Sequence, residues 1–303
     1  MKKRLLFLGA LGALSISAVL GYRHFFLSRP IGHGPAGPAV PREAFARPWT
    51  DRRVLLLGLG DSVTDGFGST EGHSYFDRLV ANPADEWDDM KGICLRAVIP
   101  NLEARNLAIS GTTSLEHLEA IVKLEPQKPD VLGLVVITTG GNDLIHNYGR
   151  TPPREGAMYG ATLEQARPWI EAFANRLDAM VAALESKFPG GCHILLANIF
   201  DPTDGEGDIE NAGLPAWPDG PKLLAAYNAI LRLCAKRHES VHLVDVHAAL
   251  LGHGIHCLQK WRPHYDAKDP HYWYFDNLED PNDRGYDAIR KVFLLEMVKI
   301  LRP

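Results

Sequence analysis

The chain has little cysteine, no excess of positive charge and no repeat, and each shortage closes off a class of function. Its four cysteines, Cys94, Cys192, Cys234 and Cys257, stand far apart and form no Cys-x-x-Cys pair, so zinc-ribbon and thioredoxin-like chemistry has no basis in the sequence. Cys192 opens an apolar run and Cys234 lies in a helical pattern, positions that suit apolar packing. Lysine and arginine number 32 against 37 aspartates and glutamates, a formal charge of −5. Nucleic-acid binding calls for a clustered basic excess and is not expected. Metal-ligand spacing is also missing, since His253 and His256 are three apart with no partner pair. The acidic run from Asp201 to Glu210 has Ile209 where a calcium loop needs its turn glycine. It is expected to be a solvated acidic loop.

What is present is a folded composition, with 303 residues of which 46% are hydrophobic and 23% charged. Met1-Lys2-Lys3-Arg4 precedes an uncharged stretch from Leu5 to Tyr22 with the shape of an export signal. No small-x-small cleavage site precedes Arg23, so residues 1–29 are read as an uncleaved signal anchor, with secretion after cleavage as the alternative. The basic end would stay in the cytoplasm and the rest would lie on the non-cytoplasmic side. Residues 30–48, rich in proline and glycine, read as an exposed, semi-rigid linker. The folded domain is then 49–303, beginning at Trp49.

That domain is organised around Gly60-Asp61-Ser62-Val63-Thr64-Asp65-Gly66, which follows the apolar run Val54 to Leu59. The run reads as a buried strand ending in a tight turn that presents one serine. A hydroxyl at the C-terminal edge of a central strand is where α/β sheets place nucleophiles. His73, in the loop beyond, is a lesser candidate for substrate contact. A second run closes at Asn106-Leu107-Ala108-Ile109-Ser110-Gly111-Thr112-Thr113, and a third, Val131 to Ile137, at Thr138-Thr139-Gly140-Gly141-Asn142-Asp143. A helix over 163–188 carries Phe173, Leu177, Met180, Val181 and Leu184 on one face, and Thr162 with Gln165 spells a capping box. Strands at 194–200 and 241–246 flank a helix over 222–237. Strands alternating with helices predict a parallel sheet covered on both faces.

Together the stretches around Ser62, Gly111 and Asn142 resemble the first three sequence blocks of the SGNH (GDSL-type) hydrolase superfamily. The resemblance implies a three-layer αβα sandwich with a central, mainly parallel sheet of flavodoxin-like type. It implies Ser62 as nucleophile, with Ser62 N–H, Gly111 N–H and the Asn142 amide as the oxyanion hole. The final block departs from the family. Asn277-Leu278-Glu279-Asp280 precedes Pro281 where the family has Asp-x-x-His. Asp280, placed at a helix start by Pro281, is expected to cap that helix, to be held charged and to orient a neighbour. The catalytic base is therefore sought in the 252–280 insertion, at His271, with Asp266 and Asp269 nearby; His264 is next and His247 an outsider.

The function so implied is cleavage of an ester, on a lipid, a short acyl group or an acetylated carbohydrate, through an acyl-enzyme on Ser62. Neither metal nor organic cofactor is required. The partners expected are a small-molecule or polymer-bound ester and, through the N-terminal segment, a membrane. The rival is a lipid- or carbohydrate-binding module of the same fold that has lost its base; acyl transfer to an exported polymer is a third reading.

Overall fold

A computed structural model describes residue 12 and residues 14–301. Its sheet grows from the apolar runs. Strands β1 (Arg53–Gly60), β2 (Leu102–Asn106), β3 (Val131–Thr138), β4 (Cys192–Ala197) and β5 (Val241–Val244) pair in the order β2-β1-β3-β4-β5, every pair parallel. Strand β3 is buried along its whole length and β1 from Val54 onward, so both read as unbroken apolar runs. Strand β2 is different: Leu102-Glu103-Ala104-Arg105-Asn106 is a half-exposed edge. The chain turns back on itself between β1 and β3, and open α/β sheets bind ligands beyond the strand ends at that switch point.

The helices are α1 (Ser62–Asp65), α2 (Tyr75–Val80), α3 (Leu95–Val98), α4 (Ser114–Val122), α5 (Gly141–Ile145), α6 (Leu163–Lys187), α7 (Gly220–Arg237), α8 (Val246–Leu250) and α9 (Asp283–Leu301). They cover both faces. Successive side chains of a strand point to opposite faces, so Val54 and Leu56 pack with Tyr75, Tyr286 and Phe293, while Leu55, Leu57 and Leu59 pack with Phe173, Leu177 and Leu231. Helix α6 begins on the capping box expected for it, Thr162 with Gln165. All four cysteines are free, and Cys94, Cys234 and Cys257 are buried.

Residues 30–48 are not the exposed linker expected. They lie as a strap across α9, with Ala36, Ala44 and Phe45 inside the core. From Ile31 to Ala36 the strap forms neither helix nor strand, which leaves its carbonyls for buried cations to take. Arg284 donates to the carbonyls of Ile31, Gly34 and Pro35, and Lys291 Nζ to that of Ala36. In return Asp287 Oδ2 accepts the Ala36 N–H at 2.8 Å. The acidic loop is corrected as well: Asp201 and Asp204 are buried, and Asp204 accepts the N–H groups of Gly252, Gly254 and His256. Three converging donors offset part of the cost of burying that carboxylate.

The signal-anchor expectation falls partly on residues 1–11 and 13, outside the described residues. From Leu14 the chain is helical and exposed, ending in a π-turn over Arg23–Leu27. Among the described residues no helix is long and apolar enough to cross a membrane.

Removing residues 1–29 should leave the urea midpoint close to that of the full chain. Removing residues 1–48 strips Arg284, Asp287 and Lys291 of buried partners and should lower stability by about 3–5 kcal/mol. Equal midpoints for the two truncations would return the strap to the status of a linker.

Candidate active site

Ser62 sits where β1 ends, in a turn fastened to β3. Gly60 has φ +121°, and a Cβ there would fall 2.1 Å from the Thr138 carbonyl oxygen, so only glycine lets the two strands close up. Asp61 Oδ1 accepts from the Val63 N–H at 3.2 Å and from the Thr138 hydroxyl at 2.7 Å. Behind it the Tyr75 hydroxyl meets Thr64 at 2.7 Å and Thr64 meets Thr138 at 2.8 Å. With a carboxylate at its end, the chain of donors runs from Tyr75 to Asp61. Burial pushes the Asp61 carboxyl up to about 6 despite these bonds.

Gly111 and Asn142 come from the ends of β2 and β3. Gly111 has φ +83°, a conformation that a side chain would strain, and no acceptor among the described residues takes its N–H. Its loop is tied to the Ser62 turn, because the Ile109 N–H donates to the Gly60 carbonyl at 3.0 Å. Asn142 Nδ2 donates one proton to the Thr112 carbonyl at 2.9 Å. An amide nitrogen carries two protons, so one stays free in a buried side chain that faces the same cavity as Ser62.

Reading the sequence missed His117, which holds this loop from behind. Its Nε2 lies 2.9 Å from Thr112 Oγ1 and its Nδ1 2.8 Å from Thr139 Oγ1. Thr112 Oγ1 donates to the Ile109 carbonyl, so Nε2 is the protonated nitrogen and Nδ1 accepts from Thr139. Burial drives its pKa down to about 4, because the charged imidazolium would be cut off from water, and Glu116 only partly offsets this. The capping box of α4, Thr113 with Glu116, fixes the helix that carries it and was the available signal.

The cavity that Ser62 and Asn142 share is walled by apolar and aromatic side chains, among them Leu144, Ile145, Tyr159, Ile199, Trp217 and Leu224. Asp61 and Glu279 also face it. No histidine among the described residues lines it.

The last block closes the site differently from expectation. His271 is not brought to Ser62. Its Nδ1 bonds Asp269 at 2.5 Å, Asp269 is held by Arg284, and the ring packs against Gly32 of the strap. His264 lies beside Gly205, and His247 Nδ1 bonds the Ile199 carbonyl. His73 pairs with Asp85. Nor does Asp280 cap α9, since Asn282 Oδ1 takes the N–H groups of Arg284 and Gly285. Asp280 is 2% exposed. Burial raises its pKa above the ordinary carboxylate value, and the Ser62 hydroxyl and the Asn277 amide beside it offset part of that rise.

The turn presenting Asp280 is held tightly. Asn277 Oδ1 accepts the N–H groups of Glu279 and Asp280, while Asn277 Nδ2 donates to Asp280 Oδ2 at 2.7 Å. Between them Leu278 adopts φ +69°, a conformation costing about 1–3 kcal/mol for such a residue. Glu279 is raised to about 7 by burial and by the neighbouring Asp280.

The sequence profile of the GDSL-like lipase/acylhydrolase family matches residues 59–288. No curated protein matches the chain. Among solved structures the chain is similar to an extracellular lipase from Streptomyces rimosus, at 16% identity and TM-score 0.51, covering 80% of this chain and 99% of that one. It is also similar to an acetyl xylan esterase from Geobacillus stearothermophilus, at 19% identity and TM-score 0.50, covering 82% and 96% respectively. At these identities the likeness establishes the fold.

His117 carries a pH prediction. Its pKa is about 4 when folded and about 6.5 when unfolded, so the unfolded chain binds more protons between those values. The stability it contributes is present above pH 6.5 and lost as pH falls toward 4, by up to about 3 kcal/mol. Asp61 and Asp204, both raised to about 6, act in the opposite sense. The comparison that isolates the histidine is therefore between wild type and His117→Gln. The stability of wild type relative to the variant, read from urea midpoints, should be greater at pH 7 than at pH 5 by about 2 kcal/mol.

Proposed function

The chain belongs to the GDSL-like lipase/acylhydrolase family, and from that membership we propose that it is a serine hydrolase of esters bearing an apolar acyl chain. Ser62 Oγ attacks the ester carbonyl. The oxyanion is held by the N–H groups of Ser62 and Gly111 and by the free proton of Asn142 Nδ2, donors that need no reorganisation as charge develops. The alcohol leaves, and water releases the acid from the acyl-serine.

The observation that supports this best is the pairing of one serine with a neutral amide at the mouth of an apolar cavity. Residues such as Leu144, Ile199 and Trp217 favour a hydrocarbon chain over a sugar, which would leave its hydroxyls without partners there. The absence of a histidine from that cavity, among the described residues, favours the second reading, a lipid-binding module without turnover.

Ser62→Ala should abolish hydrolysis of p-nitrophenyl esters, and Asn142→Ala should lower kcat about 10²- to 10³-fold. Hexanoyl and octanoyl esters should show higher kcat/KM than acetate. Wild type inert across that series, yet binding octanoate, would establish the binding module.

We further infer that the N-terminal segment attaches the domain to a membrane, on its non-cytoplasmic side. Leu14, Ile16, Val19 and Leu20 are exposed along one helix, and Phe25 and Phe26 continue onto Trp261 at the domain surface. Full-length protein should sediment with membranes and be digested by protease added to spheroplasts. Recovery of the full chain in the cytosolic fraction would reject the anchor.

A further inference from the structure

We propose that Asp280 is the group that takes the proton of Ser62, so that the site works as a serine–carboxylate dyad with Asn277 as the positioning residue. The proposal rests on the reading of Ser62 as nucleophile.

Two departures in the last block compensate each other. In an Asp-x-x-His arrangement the first residue accepts a hydrogen bond and the second donates it. Here Asn277 Nδ2 donates and Asp280 Oδ2 accepts, at 2.7 Å. Both roles are exchanged and the pair remains complementary. Changing the second position alone would have set two carboxylates, both acceptors, face to face.

The bond to Asn277 occupies Oδ2. Oδ1 is buried and has no hydrogen-bond partner, although Asp280 lies beside the Ser62 hydroxyl. A buried carboxylate oxygen without a donor is costly, and the left-handed Leu278 adds strain to the same turn. The backbone is nonetheless locked, since the Asp280 carbonyl accepts the Phe275 N–H at 2.7 Å. With Oδ2 taken by Asn277, the free oxygen is the one left to accept a proton from Ser62.

The titratable groups acting with Asp280 are all acids. Asp61 and Asp65 face it from the Ser62 turn, Glu279 from its own turn and Tyr286 from α9. Burial with no cation against it makes Asp280 a stronger base than an exposed carboxylate.

As the Oγ–C bond forms and the carbonyl π pair moves to oxygen, the hydroxyl proton passes to Asp280 Oδ1. The C=O bond re-forms as the C–O bond to the alcohol breaks, and the alcohol leaves with that proton. Water then adds to the acyl carbon, giving its proton to Asp280. The acid departs as Ser62 Oγ recovers that proton, and water is the only co-reactant.

The test uses the full chain, p-nitrophenyl butyrate turnover from pH 4 to 9, and covalent labelling of Ser62 by an alkyl fluorophosphonate read by mass. Wild-type kcat/KM should rise with pH along a limb set by Asp280 and then level off. Asp280→Asn should lower kcat about 10²- to 10⁴-fold and abolish the limb. Asn277→Asp sets a second carboxylate beside Asp280 and should move the limb upward by about one pH unit or more. This variant keeps the test decisive if Asp280→Asn fails to fold. An Asp280→Asn enzyme within threefold of wild type, or a limb unmoved in Asn277→Asp, overturns the dyad while labelling at Ser62 leaves the hydrolase reading standing. Wild type that neither turns over nor labels at Ser62 overturns both.

Discussion

The structure depends on a buried cluster of charge centred on Asp287. Asp287 has no exposed surface, and it meets Arg290 at 2.6 Å, Lys291 at 2.9 Å and the strap's Ala36 N–H at 2.8 Å. Arg290 reaches on to Glu86, and Arg78 of α2 stands 3.9 Å from Asp287. Burial pushes the Glu86 carboxyl up, but the Arg290 guanidinium outweighs it and holds the group below its ordinary value. Such a cluster is weak evidence for net stability, because desolvation costs nearly as much as pairing returns. What it supplies is a single geometry: α9, α2 and the strap can meet in only one register without leaving a charge unpaired.

That register positions the chemistry. Helix α9 begins at Asp283, which binds the N–H and hydroxyl of Thr70, and Tyr286 donates to the Phe67 carbonyl at 2.6 Å. Both contacts lie in the loop after Ser62. The first and last blocks of the domain, more than two hundred residues apart, are thus brought together by the start of one helix. The turn carrying Asn277 and Asp280 inherits its position from that contact and from the Tyr274–Pro281 bridge.

Much of this was legible in the sequence, and the limits have physical causes. The continuous apolar runs of β1 and β3 announce strands buried on both faces, and the Thr162–Gln165 box announces the start of α6. The strap was misread because proline and glycine report how a segment behaves alone. They say nothing of Arg284, some 250 positions later, whose fork matches its carbonyls. His271 was misread for a related reason. The sequence-local partner is real, since Asp269 does bond the ring, but Arg284 draws that pair toward the strap and away from Ser62. The capping aspartate was misplaced by two residues: Pro281 bridges to Tyr274, so the helix starts later and Asn282 supplies the cap. His117 carried no motif, because its role comes from two threonines on different strand ends.

The acids around Ser62 also bear on product release. Asp61, Glu279 and Asp280 are all pushed upward, chiefly by burial, with no cation among the groups acting on them. Such a site carries less negative charge than three carboxyl groups would in water, and it resists taking on more. The hydrolysis proposed above would make a new carboxylate beside them. A hydrocarbon tail would suit Leu144, Ile199 and Trp217, but a charged head would share the cavity with Glu279 and Asp61. Like charges in a poorly hydrated space repel more strongly than in bulk water. A neutral ester would meet no such opposition, so under the proposed reaction one set of buried acids would favour substrate over product and drive the head group back toward solvent.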